Sequence, residues 1–144
     1  MNLERFIVAQ NACYDRVLEE LRNGKKVTHW MWYIFPQIVG LGESDISFYF
    51  SIKNVEEAKS YLQDKVLGKR LREVTNILLS LNISDPVEIF GSIDAMKLKS
   101  SMTLFDYVSE YDVFLQVLEK YYNGEKDELT LNSIHKTSEP RLMK

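Results

Sequence analysis

Residues 29–35, His29-Trp30-Met31-Trp32-Tyr33-Ile34-Phe35, have no polar face. Such a segment is buried on most sides or lines a cavity, so neighbouring elements have to pack around it. Thr28 can cap the segment, and Pro36 pushes Phe35 away from helical angles and ends it. Both tryptophans of the chain fall here, with one of its two histidines and two further aromatics. Residues 28–37 therefore read as the hub onto which helices dock and as one wall of the candidate site.

Around the hub, apolar residues recur with helical spacing. One helix is expected over residues 3–23. Leu3, Phe6, Ile7, Gln10, Cys13, Tyr14, Val17, Leu18 and Leu21 lie on its inner face. Glu4, Arg5, Asp15, Glu19, Glu20 and Arg22 lie on its outer face, and Gly24 stops it. A loop with Gly40 and Gly42 leads to Ser44, which caps a short apolar piece, 46–50, equally suited to helix or strand. Asn54-Val55-Glu56-Glu57 is a capping box that opens a helix to about Asp64, and a second helix follows from Val66 to Leu81. Asp85-Pro86 starts a short helix that ends at Gly91. Ser92 caps the next, to about Ser109, with a break expected at Ser100-Ser101, where hydroxyls compete for the backbone. Asp112 opens another that closes at Gly124, and a last one covers 128–133. The expected fold is all-α, a compact single-domain orthogonal helical bundle of about seven to eight helices. It covers residues 1–134 and leaves a polar, frayed tail at 135–144.

Composition narrows the chemistry. A chain of 144 residues, 45% hydrophobic, can bury a core without a disulfide or metal. Cys13 is the only cysteine and sits on an apolar stripe, so it reads as a small buried hydrophobe in a reducing compartment. His29 and His135 are too far apart for zinc-ligand spacing. Walker A, nucleophile-elbow, EF-hand and dinucleotide fingerprints are missing. Neither a metal nor a cofactor is expected. A net charge of −3 offers no global field for nucleic acid, the weakest partner class. No apolar run approaches the ~20 residues a bilayer span needs, and no signal peptide is visible. No membrane association is expected, and the expected compartment is the cytoplasm.

Four stretches could carry function. In the hub, Trp30, Trp32 or Tyr33 can offer a flat face to a ring, with His29 as a general acid or base. The bland alternative is that these aromatics are packing anchors. In Gly40-Leu41-Gly42-Glu43-Ser44, backbone N–H groups could face an anion, although an ordinary turn explains the glycines as well. In Lys97-Leu98-Lys99-Ser100-Ser101-Met102-Thr103, helical spacing sets hydroxyls beside lysines on adjacent faces, a group that can bind phosphate or carboxylate. Hydroxyls bonded to the preceding turn are the alternative there. The carboxylates Asp94, Asp106, Asp112, Glu57, Asp85 and Glu88 are partly helix caps, and their spacing singles out no catalytic pair.

The stretch Thr28-His29-Trp30-Met31-Trp32-Tyr33-Ile34-Phe35-Pro36-Gln37, followed by Gly40-Leu41-Gly42, resembles a bacterial family known as domain of unknown function 1810. The resemblance continues through Glu57-Ala58-Lys59-Ser60-Tyr61-Leu62, Val66-Leu67-Gly68-Lys69-Arg70-Leu71-Arg72-Glu73, Glu88-Ile89-Phe90-Gly91 and Lys97-Leu98-Lys99-Ser100-Ser101-Met102-Thr103-Leu104-Phe105. Lys65 departs from the proline more usual before Val-Leu-Gly. The resemblance implies a compact helical domain in the cytoplasm and carries no activity with it. Some members bear a calpastatin label. Calpastatin acts through disordered repeats, which this chain lacks.

The first functional expectation is a small-ligand binding domain, with enzymatic activity left open. Its pocket lies between the hub and the lysine–hydroxyl segment and takes a nucleotide or other anionic, ring-containing molecule. Trp30, Trp32, Gln37, Gly42, Lys97, Lys99, Ser100 and Thr103 hold the ligand, and His29 or Asp106 moves a proton. The alternative is a non-catalytic protein-interaction or regulatory module whose partner the sequence does not name.

Overall fold

A computed structural model describes residues 2–138. Among them nine helices follow one another. They are α1 (Glu4–Asn11), α2 (Tyr14–Arg22), α3 (Met31–Ile34), α4 (Asp45–Tyr49), α5 (Val55–Gln63), α6 (Leu67–Ser80), α7 (Pro86–Val108), α8 (Val113–Tyr122) and α9 (Glu128–Ser138). Extended pairing among the described residues is limited to one parallel bridge between Ile38 and Ile52. The all-α single-domain bundle expected from the apolar periodicity is the fold that forms.

The caps stand where short-range chemistry puts them. Side chains of Ser44, Asn54, Asp85 and Asp112 accept from the backbone N–H groups of Ser47, Glu57, Val87 and Val113. Asn123 and Gly124 close α8 with φ of 55° and 78°. The end of α6 is capped from outside: Lys120 Nζ donates to the carbonyls of Leu78 (2.9 Å), Leu79 (3.1 Å) and Leu81 (2.5 Å). A cation at that end also complements the helix dipole.

Three boundaries differ from the sequence expectation. The helix over 3–23 is two helices, because Cys13 leaves helical angles (φ −146°, ψ 5°). The break resets the helical phase, so the buried faces become Arg5, Phe6 and Gln10 on α1 and Val17, Glu20 and Leu21 on α2. Arg5 and Glu20 are thus inside, not on the solvent face. No break occurs at Ser100-Ser101. Ser100 Oγ bonds the Met96 carbonyl at 3.1 Å without interrupting α7, whereas the stop expected at Gly91 is present as a kink, its φ of 79° lying in the glycine region. The last helix runs past Ser133 to Ser138, so the first part of the expected tail is helical. Residues 139–144 lie outside the described residues.

The core is threaded by aromatic rings. Phe6 meets Tyr61 (5.1 Å between centroids), Tyr61 meets Phe105 (5.5 Å) and Phe105 meets Phe114 (5.7 Å), which ties α1, α5, α7 and α8 together. Leu98, Met102 and Phe105 of α7 are wholly buried in that cluster. The turn from α5 to α6 is tight enough to need a glycine for space. A Cβ on Gly68 would overlap the Leu62 carbonyl oxygen. Gly68→Ala therefore has to pry the turn open, at about 1–3 kcal/mol in the manner of an overpacked core. Urea unfolding checks this, and an unchanged midpoint would contradict it.

Candidate functional site

Three buried polar side chains of the first two helices position the site. Glu20 is 6% exposed. Its carboxylate accepts from Val27 N (2.7 Å), Thr28 N (3.0 Å), Thr28 Oγ1 (2.7 Å) and Trp30 Nε1 (2.9 Å). Burial acts to raise the Glu20 pKa. The donors outweigh it and hold the pKa at about 2, against an ordinary 4.5. Gln10 donates from Nε2 to the Tyr33 carbonyl (2.8 Å) and the Tyr61 hydroxyl (3.0 Å). Arg5 donates to the carbonyls of Tyr49 (2.7 Å) and Ser51 (2.9 Å) and pairs with Glu57 at 3.3 Å. Glu57 in turn accepts from Lys53 N, so its carboxylate serves Arg5 and the chain entering α5 instead of completing the capping box.

Between these anchors the chain makes a compact excursion, residues 37–52. Its base is closed by Val39 N to Ile52 O and Ile52 N to Gln37 O, both 2.8 Å. An excursion of this length whose ends meet is an Ω-type loop, a frequent carrier of function. Pinning Trp30 into the core, against Phe35 and Phe90, leaves Trp32 half-buried beside the loop.

A cavity of about 420 Å³ opens there. Trp32, Gln37, Leu41, Gly42, Glu43, Ser44 and Ser47 line one side, Ile93, Met96, Lys97 and Ser100 of α7 another, and Asp127 and Leu129 at the start of α9 a third. A smaller cavity of about 200 Å³ shares Trp32, Gln37, Gly42 and Ser47 and extends to Phe50 and Ser51. The Lys97 ammonium lies 4.8 Å from the Trp32 ring centroid and 3.6 Å from Asp94 Oδ1. Asp94 Oδ2 meets Lys26 at 2.9 Å, and Lys26 lies 5.2 Å from the Trp30 ring. Asp127 caps α9: its Oδ2 accepts from Ser100 Oγ (3.1 Å), Thr130 N (3.0 Å) and Thr130 Oγ1 (2.5 Å).

Residues 1–134 match the family described as protein of unknown function (DUF1810). The chain belongs to that family. It is similar to the conserved hypothetical protein Rv1873 from Mycobacterium tuberculosis, known from a crystal structure. The two are 44% identical, with a TM-score of 0.88 over 90% of this chain and 94% of that one. No match was found among curated proteins.

Five residues expected at the site of this DUF1810 chain line one cavity: Trp32, Gln37, Gly42, Lys97 and Ser100. The others lie elsewhere. Trp30 is 1% exposed, with its N–H spent on Glu20. Lys99 turns toward Glu125 (3.5 Å) and the Tyr122 ring (6.0 Å). Thr103 is buried, donating to Lys99 O (2.8 Å) and accepting from Asp127 N (2.9 Å). His29 is exposed and outside the cavity lining. Asp106 is buried beside a separate groove of about 670 Å³, paired with Lys126 at 3.2 Å. Sequence reasoning missed Asp127, although Asp127 with Thr130 three residues on is an N-cap signature. It also missed the exposed apolar rim of Ile93, Met96 and Leu129. Among the described residues no cluster of metal-ligating side chains exists, and no helix is long and apolar enough to cross a membrane.

The Glu20 linkage has a definite sign. Its folded pKa is depressed, so its stabilisation is complete above 4.5 and is lost as pH falls toward 2. The full effect is on the order of 3 kcal/mol. Glu20→Gln should therefore destabilise the fold at neutral pH, with the gap to wild type closing between pH 4.5 and 2. Urea unfolding across that range measures it, and a gap independent of pH would contradict the assignment.

Proposed function

We propose that the DUF1810 chain is a binding domain whose cavity takes a small, ring-containing ligand. One observation carries this reading: the Trp32 indole and the Lys97 ammonium meet at one cavity, 4.8 Å apart, together with the Gln37 amide and the Ser100 hydroxyl. A mostly apolar concavity with a few convergent polar groups is the usual form of a small-molecule site. A ligand ring packed on the cavity's apolar lining gains burial, and the polar groups fix its orientation. Binding without catalysis is the better-supported form, because the proton carriers foreseen, His29 and Asp106, sit outside this cavity.

The exposure of Ile93 (71%), Met96 (72%) and Leu129 (66%) on the cavity rim favours a second reading, a surface that receives an apolar side chain of a protein partner. Thermal shift separates the two, because it reads binding of a small molecule without using Trp32 as the reporter. Nucleosides, nucleotides and simple aromatic compounds are titrated against wild type, Trp32→Phe and Lys97→Ala. At about 100 times its Kd a ligand adds about 2.7 kcal/mol of stability, so a rise in Tm accompanies saturation. A saturable response in wild type that disappears in Trp32→Phe is the expected result. No saturable response at millimolar concentration, or one that survives Trp32→Phe, would overturn the small-ligand reading.

A further inference from the structure

The charges around the cavity point to a narrower ligand class than the ring alone. The cavity is lined by two carboxylates, Glu43 and Asp127, against one ammonium, Lys97. Lys97 is itself offset by Asp94 at 3.6 Å, and Asp94 is shared with Lys26. Lys99, the other cation the sequence offered for an anion, faces Glu125 instead. Asp127 satisfies its own helix through Oδ2, and Oδ1 takes no hydrogen bond from the described residues. Glu43 is exposed and is paired with no described residue.

The Trp32 ring is occupied already. A lysine ammonium 4.8 Å from its centroid is held by the negative face of the indole. That contact displays the chemistry the site accepts: a cation on Trp32 with carboxylates around it. Lys97 has a second place to rest, on Asp94, so it can leave the ring without losing an ionic partner.

Resting on the small-ligand reading above, we propose that the cavity selects a ring-bearing organic cation, an arylalkylamine or amidine in class, and that the Lys97 ammonium is the group it displaces from Trp32. The ligand ring takes the apolar wall of Met96 and Ile93. Its cationic end sits over Trp32 within reach of Glu43 and Asp127. An anionic ring compound meets the same wall and finds repulsion from both carboxylates.

Phenethylamine and hydrocinnamate test this, because they carry the same ring on the same spacer with opposite charge. Both are titrated by calorimetry and thermal shift against wild type, Glu43→Gln and Lys97→Met. The amine should bind about fivefold or more tightly than the carboxylate at low salt, with the preference shrinking as salt rises. Glu43→Gln should reduce that preference, and Lys97→Met should strengthen amine binding by removing the competing ammonium. If hydrocinnamate binds more tightly and Lys97→Met abolishes it, the charge assignment is overturned while the small-ligand reading stands. If neither compound binds and neither shifts the Tm, both fall together.

Discussion

The Glu20 carboxylate is the contact on which the rest of the site depends. It gathers four donors from residues 27–30, a stretch whose backbone has few regular partners of its own. A buried carboxylate is expensive unless hydrogen-bonded, and part-buried amides left unpaired are costly as well. Each solves the problem of the other. With Trp30 Nε1 fixed to Glu20, the indole drops between Phe35 and Phe90, and the next turn carries Trp32 toward the loop. Arg5 does the same at the far end, bonding the carbonyls of Tyr49 and Ser51, and Gln10 holds the Tyr33 carbonyl between them. Helices α1 and α2 thus act as a template, through three polar side chains, for a segment that is largely not helical.

Most of the helical frame was legible because its signals are local. Ser44, Asn54, Asp85 and Asp112 cap helices within three residues of themselves, and the apolar spacing of α5, α6 and α8 needs nothing distant. The break at Cys13 was not legible. Ala12 and Cys13 contain neither glycine nor proline, and the apolar spacing runs straight through them. Nor was the burial of Arg5 and Glu20, whose partners include backbone groups up to 46 residues away that leave no periodic trace.

The candidate site was half legible for a geometrical reason. Lys97 and Ser100 are three residues apart and share a helical face, which meets the loop. Lys99 and Thr103 share another face, about 200° away from Lys97 at 100° per residue for Lys99, and serve the contacts of α7 with α8 and α9. The motif was therefore split by the helix that carries it. Aromatic residues behaved the same way: Trp30 and Trp32 are adjacent in pattern yet one is core and the other lines the cavity. Pattern alone does not separate them, because the deciding partner, Glu20, lies ten residues earlier in another helix.

If polar side chains of α1 and α2 hold the 27–52 segment as firmly as described, that segment opens only when the whole domain unfolds. Native-state hydrogen exchange measures this directly, amide by amide. The amides of Val27 and Thr28, bonded to Glu20, and of Val39 and Ile52, bonded across the base of the loop, should exchange with the same free energy as core amides of α6. Rapid exchange at these four positions while α6 stays protected would show a segment that opens by itself, and would contradict the account.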